Sequence, residues 1–132
     1  MRRVYLNACI VIYLMEDVAL FSQKTRRFFA RNSEAILCVS PLVRMEVLVK
    51  PLRDASVTLS KDYQDFLAAQ NWLSFSDQTF DAALQLRAKH GLNTPDALHL
   101  ATAQQYGCAE FWTNDDRLNK AAGKMAVNVL SD

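Results

Sequence analysis

Apolar and polar positions alternate in blocks along the chain, and each block carries its own period. Residues 4–6 (VYL) form a short β-branched and aromatic run that stops at Asn7, and residues 8–16 (ACIVIYLME) continue as a helix-like run. Residues 20–32 (LFSQKTRRFFARN) place Phe21, Phe28 and Phe29 near helical spacing. Residues 35–40 (AILCVS) read as an apolar strand, after which Ser40 and Pro41 offer an N-cap and a first-turn proline for a helix through about Lys50. A helix is expected over 62–71, a strand over 72–76 (WLSFS), and a helix over 77–90 that starts from a capping Ser or Asp and stops at Gly91. Thr94 and Pro95 open another helix that ends at Gly107; residues 109–113 (AEFWT) form a strand, 115–123 a short helix and 126–130 (AVNVL) a last strand.

Strands separated by helices predict an α/β fold with a central parallel sheet covered on both faces. In open parallel sheets, sites form beyond the carboxyl ends of the strands, and this rule sorts the polar residues. Asn7 ends the first strand, and Asp115 and Asp116 follow the strand at 109–113, so both points lie on that edge. Asp96, read as the second residue of a helix begun at Pro95, faces the same edge because its helix feeds that strand after a short turn. The helix at 77–90 then has to turn across the sheet rather than form a simple antiparallel hairpin with its successor. Glu46 has Leu42, Val43 and Val49 as helical neighbours, so its carboxylate borders an apolar face and needs a partner, either Lys50 at i+4 or a shared metal ion.

Composition narrows the class. A chain of 132 residues that is 51% hydrophobic buries one core, and only three glycines, no repeat and no low-complexity run leave no linker, so residues 1–132 are expected to be a single domain. The formal net charge of +1 excludes a globally basic nucleic-acid coat. The charge is nevertheless uneven: residues 1–53 hold nine Lys and Arg against four Asp and Glu, and residues 54–132 hold six against ten. A basic surface beside an acidic cluster suits a polyanion handled through metal ions, although an ordinary mixed surface has the same counts. Cys9, Cys38 and Cys108 form no C-x-x-C and sit in or beside apolar runs, which predicts buried thiols in a reducing, cytoplasmic setting. No apolar run approaches the ~18 residues of a membrane span, and the N-terminus lacks the small-residue cleavage pattern of a secretory signal.

Each acidic residue also has a structural role open to it. Asp96 complements a helix macrodipole, Asp115 or Asn114 caps the next helix, and Glu46 pairs with Lys50. Convergence favours a site: three separate segments bring a carboxylate to one sheet edge, where like charges repel unless a cation neutralises them. Oxygen ligands of this kind select Mg2+ or Mn2+ over zinc. His99, three residues beyond Asp96 but between Leu98 and Leu100, reads as a half-buried, hydrogen-bonded histidine rather than a general base, and His90 is not assigned a catalytic role. Phe28, Phe29 and Trp72 read as core or interface residues before stacking platforms.

The stretches VYLNACIVIYLME, SPLVRMEVLVKPLR, NTPDALHLATA and FWTNDDRL stand in the order and spacing of the four acidic motifs of the PIN domain, and the chain resembles a VapC-type toxin of a type II toxin–antitoxin pair from about residue 3 to 130. The resemblance implies a three-layer α/β/α sandwich, an endoribonuclease dependent on Mg2+ or Mn2+, a homodimer, and a small antitoxin protein as partner. Carried over position by position, it puts Asn7, Glu46, Asp96 and Asp115 at the catalytic and metal-binding places, with Asp116 a helix-start or outer-sphere residue. The implied chemistry is hydrolysis of an RNA phosphodiester by in-line attack of water, with the cation stabilising charge on the phosphate oxygens. Thr113, Asn114, Arg44, Lys50 and Arg53 are candidate contacts to the RNA phosphate.

The family has an Asp where this chain has Asn7. Asn is nearly isosteric and its amide oxygen still touches a cation, but it brings no charge and its NH2 group donates where the site wants an acceptor. One charge pair at about 4 Å in a medium of effective dielectric near 20 is worth ~4 kcal/mol before solvent compensation, so metal binding and turnover are expected to suffer. A substitution made to silence a toxic nuclease, a naturally degenerate site and an active enzyme that tolerates Asn compete as explanations; the intact remainder of the motifs favours the first. The rival function is a non-catalytic PIN-like module that binds RNA or a partner protein. A phosphatase lacks its D-x-D motif after strand one, and a receiver domain lacks a placeable phosphorylatable Asp and downstream Lys.

Overall fold

The computed structural model describes residues 2–131. Five strands, β1 (Arg3–Leu6), β2 (Ile36–Val39), β3 (Asn71–Trp72), β4 (Glu110–Thr113) and β5 (Ala126–Asn128), form one sheet in the order β3-β2-β1-β4-β5 with every neighbouring pair parallel. The chain steps from β1 to β2 to β3 in one direction, then crosses back over two strands to β4 and β5. Right-handed crossovers in opposite directions place helices on both faces of such a sheet, which is the expected sandwich. The reversal leaves β1 and β4 side by side with their outgoing connections diverging, and that switch point is where the crevice of a parallel sheet opens.

The helices are α1 (Ala8–Met15), α2 (Ala19–Arg31), α3 (Pro41–Arg53), α4 (Val57–Ala68), α5 (Asp77–His90), α6 (Thr94–Gln105) and α7 (Asp116–Ala122). They pack in two groups: α1 touches α2 and α3, and α3 touches α4, while α5 packs along α6 and α6 touches α7. The return crossing from β3 to β4 is therefore made by α5 and α6 as a packed pair. Gly91 ends α5 in the left-handed conformation, φ 68°, which favours a residue without a Cβ. No helix among the described residues is long and apolar enough to cross a membrane.

The core lies on both sides of the central strands. Val4, Tyr5 and Leu6 are buried in succession, as a strand covered on both faces requires. Trp112, opposite Leu6 in the register, meets the rings of Phe28 and Phe29 edge-on at 4.7 and 5.2 Å, so that pair belongs to the core. Such aromatic contacts contribute ~0.5–1.5 kcal/mol each beyond the area they bury. Trp72 is partly exposed and donates its indole N–H to the Leu67 carbonyl at 2.9 Å.

Four elements depart from the sequence expectation, one of them β5, which ends at Asn128 rather than at residue 130. Helix α3 runs past Lys50 to Arg53 through a buried Pro51, because proline's fixed φ suits a helix and only the missing N–H is lost. Helix α4 spans Val57–Ala68 instead of 62–71: Ser60, Tyr63 and Leu67 form its buried stripe, and packing overrides the low helix propensity of Val57 and Thr58. Strand β3 is two residues long rather than five, since its partner β2 ends at Val39 before Ser40 caps α3, and the last ladder bond is Leu73 N–H to the Val39 carbonyl at 2.8 Å.

Candidate functional site

Asn7 leaves β1 at the switch point and becomes the N-cap of α1. Its Oδ1 accepts the Ala8 N–H at 2.8 Å, its Nδ2 donates to Thr113 Oγ1 at 2.9 Å, and its backbone N–H donates to the Trp112 carbonyl at 3.0 Å. Asn7 thus caps α1, and both ends of its side-chain amide are engaged. Thr113 Oγ1 also accepts the Asp115 N–H at 3.1 Å, so this buried hydroxyl ties the ends of β1 and β4 together.

Asp115 caps α7 through Oδ1, which accepts the N–H groups of Arg117 at 2.9 Å and Leu118 at 3.2 Å. Asp96 is the third residue of α6 rather than the second, because Asn93 is the N-cap and accepts the Asp96 N–H at 2.9 Å. The Asp96 carboxyl enters no hydrogen bond or salt bridge among the described residues. Burial first, then the Asp115 carboxylate and more weakly Glu46, push it above the usual carboxylate range; His99 and Arg117 pull the other way. Asp96, Asp115 and Glu46, from α6, the β4–α7 junction and α3, thus act on one another electrostatically.

Glu46 does not take Lys50 as partner. Lys50 lies 3.9 Å from Glu16, and Glu46 Oε1 is held by His99 Nε2. His99 is fully buried rather than half-buried, and its Nδ1 meets the Tyr5 hydroxyl at 2.6 Å, which in turn meets Ser40 Oγ at 2.8 Å. Ser40 Oγ accepts the Val43 N–H at 3.4 Å as the cap of α3. Burial drives the Tyr5 phenol far up, so it stays protonated and donates. Two sets of protons fit the chain: with a neutral His99, Ser40 donates to Tyr5, Tyr5 to His99 Nδ1, and Nε2–H to the Glu46 carboxylate; with the charged imidazolium that draws on Asp96, Nδ1–H donates to Tyr5 and Tyr5 to Ser40. The cap of α3 is thereby connected to a carboxylate on the same helix. Sequence reading missed Tyr5 and took Ser40 as a helix cap without its bond to Tyr5; the available signal was the strand alternation that puts Tyr5 on the same side as Asn7.

The candidate phosphate contacts are dispersed. Asn114 accepts the Cys9 thiol at 3.1 Å and donates to the Tyr13 hydroxyl at 3.0 Å, and Thr113 is engaged as described. Arg53 pairs with Asp54 at 3.3 Å, and Arg44 is exposed on α3. The cysteines are all free thiols, with Cys38 and Cys108 buried and Cys9 partly so.

Residues 4–124 match the family model described as PIN domain. The chain belongs to the PIN-domain family. No match arises among curated protein sequences. Among solved structures, this PIN domain is similar to a toxin–antitoxin complex from Klebsiella pneumoniae (TM-score 0.78, 21% identity, 96% of this chain and 97% of that one). It is also similar to VapBC2 of Rickettsia felis bound to a promoter DNA fragment (0.77, 14% identity, 96% and 98%). A third neighbour is Mycobacterium tuberculosis VapC20, a toxin that cleaves the sarcin–ricin loop (0.76, 12% identity, 89% and 94%). At these identities the likeness is one of fold.

Among the described residues of this PIN domain, no three His, Cys, Asp and Glu side chains gather closely enough to hold a metal ion. The hydrogen bonds give the reason: position 7 carries an amide, Glu46 leans on His99, and Asp115 turns into its own helix. The donors still fit a divalent cation in kind. Both Asp96 oxygens and one oxygen each of Asp115 and Glu46 are unengaged among the described residues, and one or two carboxylates completed by water and phosphate oxygens suffice for Mg2+.

Proposed function

We propose that this PIN domain is a VapC-like endoribonuclease toxin that uses Mg2+ or Mn2+, acts in the cytoplasm, and is restrained by a cognate antitoxin protein, with Asn7 weakening its metal site and slowing its turnover. Homodimerisation and a single-domain organisation over residues 1–132 belong to the same proposal. The observation that carries it is that Asp96, half-buried and without a hydrogen-bond partner among the described residues, has the Asp115 and Glu46 carboxylates close enough to add to the effect of its burial, an arrangement that a cation stabilises. The family and the toxin-like fold of the neighbours support it.

In this reading Asp96 and Asp115 would hold the cation, with the Glu46 carboxylate beside them. A bound divalent cation neutralises charge on the phosphate oxygens and makes the attacking water more acidic. Asp115 is held by its capping bonds and Glu46 by His99, so neither has to be ordered when substrate arrives. Arg117, whose charge reaches Asp96, adds positive potential beside the phosphate. Asn7 supplies a neutral oxygen already committed to Ala8 N–H, which is why the site is weak on that side.

A second reading, a non-catalytic module that binds RNA or protein, is favoured by one observation: the Asn7 corner is satisfied by internal hydrogen bonds. The test is the reverse change Asn7→Asp with an RNA cleavage assay in Mn2+ or Mg2+, with and without EDTA. A gain of EDTA-sensitive cleavage supports the nuclease; no metal-dependent gain favours the binding module.

A further inference from the structure

A cleft of about 590 Å³ opens beside Asp96, between the last turn of α5, the first turn of α6 and helix α7. Its lining includes Arg87, Lys89, Asn93, Arg117 and Lys120, so four cations face it and Asp96 is its only acid. We propose that this cleft is the subsite that takes the RNA backbone next to the scissile phosphate, with Arg117 and Lys120 as its main phosphate contacts. The proposal rests on RNA being the substrate and assigns it a path that the sequence reading, with Arg44, Lys50 and Arg53, did not foresee.

Three observations carry it. Lys89, Arg117 and Lys120 form no salt bridge among the described residues, whereas on the α3 side Lys50 is near Glu16 and Arg53 near Asp54. The cations facing the cleft are thus available, whereas on α3 only Arg44 of the three candidates is without an ion pair among the described residues. Helix stability accounts for only some of them. Arg87 and Lys89 lie in the last turn of α5 and Lys120 in that of α7, where a cation complements the helix dipole. Arg117 is the second residue of α7, where the dipole disfavours a cation, so helix stability gives no reason for it. Its charge is felt at Asp96, which links the cleft to the candidate site.

A second cleft makes the contrast. It measures about 420 Å³, is lined by Pro51, Leu52 and Val57, and its Lys61 is consumed by Asp65 at 2.8 Å. That groove has no charge to offer a polyanion. In the cleft beside Asp96, Arg87 is anchored through Nε to the Leu92 carbonyl at 3.0 Å, so its terminal amines are presented from a fixed stem. A backbone lying there gains charge-assisted contacts that carry no sequence information.

The test is fluorescence anisotropy of a short labelled oligouridylate with the full chain in EDTA, over a series of salt concentrations. Each lost phosphate contact lowers the slope of log K against log salt by ~0.7 for a single strand. The pair Arg117→Gln with Lys120→Gln is expected to lower it by about 1.4 and to weaken binding roughly tenfold, while circular dichroism stays unchanged. Arg117→Lys, which keeps the charge, is expected to retain the slope, and Arg44→Gln with Arg53→Gln to lower it clearly less. Equal or greater loss in the α3 pair overturns the cleft while leaving RNA as the ligand. A parent chain with no salt-dependent binding at all overturns both.

Discussion

Asn7 and Asp96 stand at the same sheet edge and meet opposite conditions. Asn7 is buried with its amide oxygen and nitrogen each bonded to the protein, and nothing at that corner calls for a ligand. Asp96 has a carboxyl without a hydrogen-bond partner among the described residues, raised by burial and by two neighbouring acids. A corner that holds unpaired, mutually repelling charge is one a cation stabilises, and a corner closed by neutral hydrogen bonds is not. Position 7 carries an amide whose two ends are satisfied within the protein, Nδ2 by Thr113 Oγ1 and Oδ1 by the Ala8 N–H.

The largest effect is expected from Asn7→Asp, which makes the two corners alike. Without metal the new carboxylate, to which the Thr113 hydroxyl can turn its O–H, joins the repulsion with the neighbouring acids, at a cost of about 1–3 kcal/mol in urea unfolding. With Mn2+ the added charge is expected to raise affinity roughly a hundredfold by titration calorimetry. Unchanged affinity breaks the comparison.

Next comes the support of Glu46. Replacing His99 by Gln is expected to destabilise the fold by about 2 kcal/mol, because the Tyr5 hydroxyl and the Glu46 carboxylate are left without their buried partner. Tyr5→Phe, which removes only the distal hydroxyl, is expected to cost about 1 kcal/mol. Equal stability of His99→Gln and the parent in urea unfolding contradicts the relay.

Asp96 sharpens the comparison through pH. A carboxyl whose folded pKa lies above its unfolded value binds more protons in the folded state, so metal-free stability falls as pH rises from the ordinary Asp value through the raised one. Below that window the penalty is absent and above it fully present. Asp96→Asn is expected to flatten this slope in unfolding measured between pH 3.5 and 7 and to abolish most Mn2+ binding; a slope as steep as the parent's rules out Asp96 as its source. The smallest effect is expected at Asp116, exposed in the first turn of α7: Asp116→Asn stays within about 0.5 kcal/mol of the parent and keeps its Mn2+ affinity. A large loss of affinity there makes Asp116 a ligand.

The chain's local signals carried most of the elements and the arrival of Asn7 and Asp115 at the strand ends. Ser40 with Pro41, Gly91 and the alternation of apolar runs mark boundaries that the structure keeps, since a cap or a left-handed stop acts within one turn. The bounds of α4 and β3 escaped such reading because a buried stripe and the length of a neighbouring strand set them. At the site the same division holds. That Asn7 caps a helix and that Asp115 starts one are short-range facts.

The sequence by itself determined the parallel α/β order and that Asn7 and Asp115 follow the ends of β1 and β4. Only the tertiary structure decided that Glu46 leans on His99, 53 residues away, rather than on Lys50 one turn along, and that Arg117 and Lys120 share a cleft with Arg87 and Lys89. The physical reason is range. Periodicity and capping act over a few residues, whereas a buried charge takes whichever partner the packed helices bring within hydrogen-bond distance.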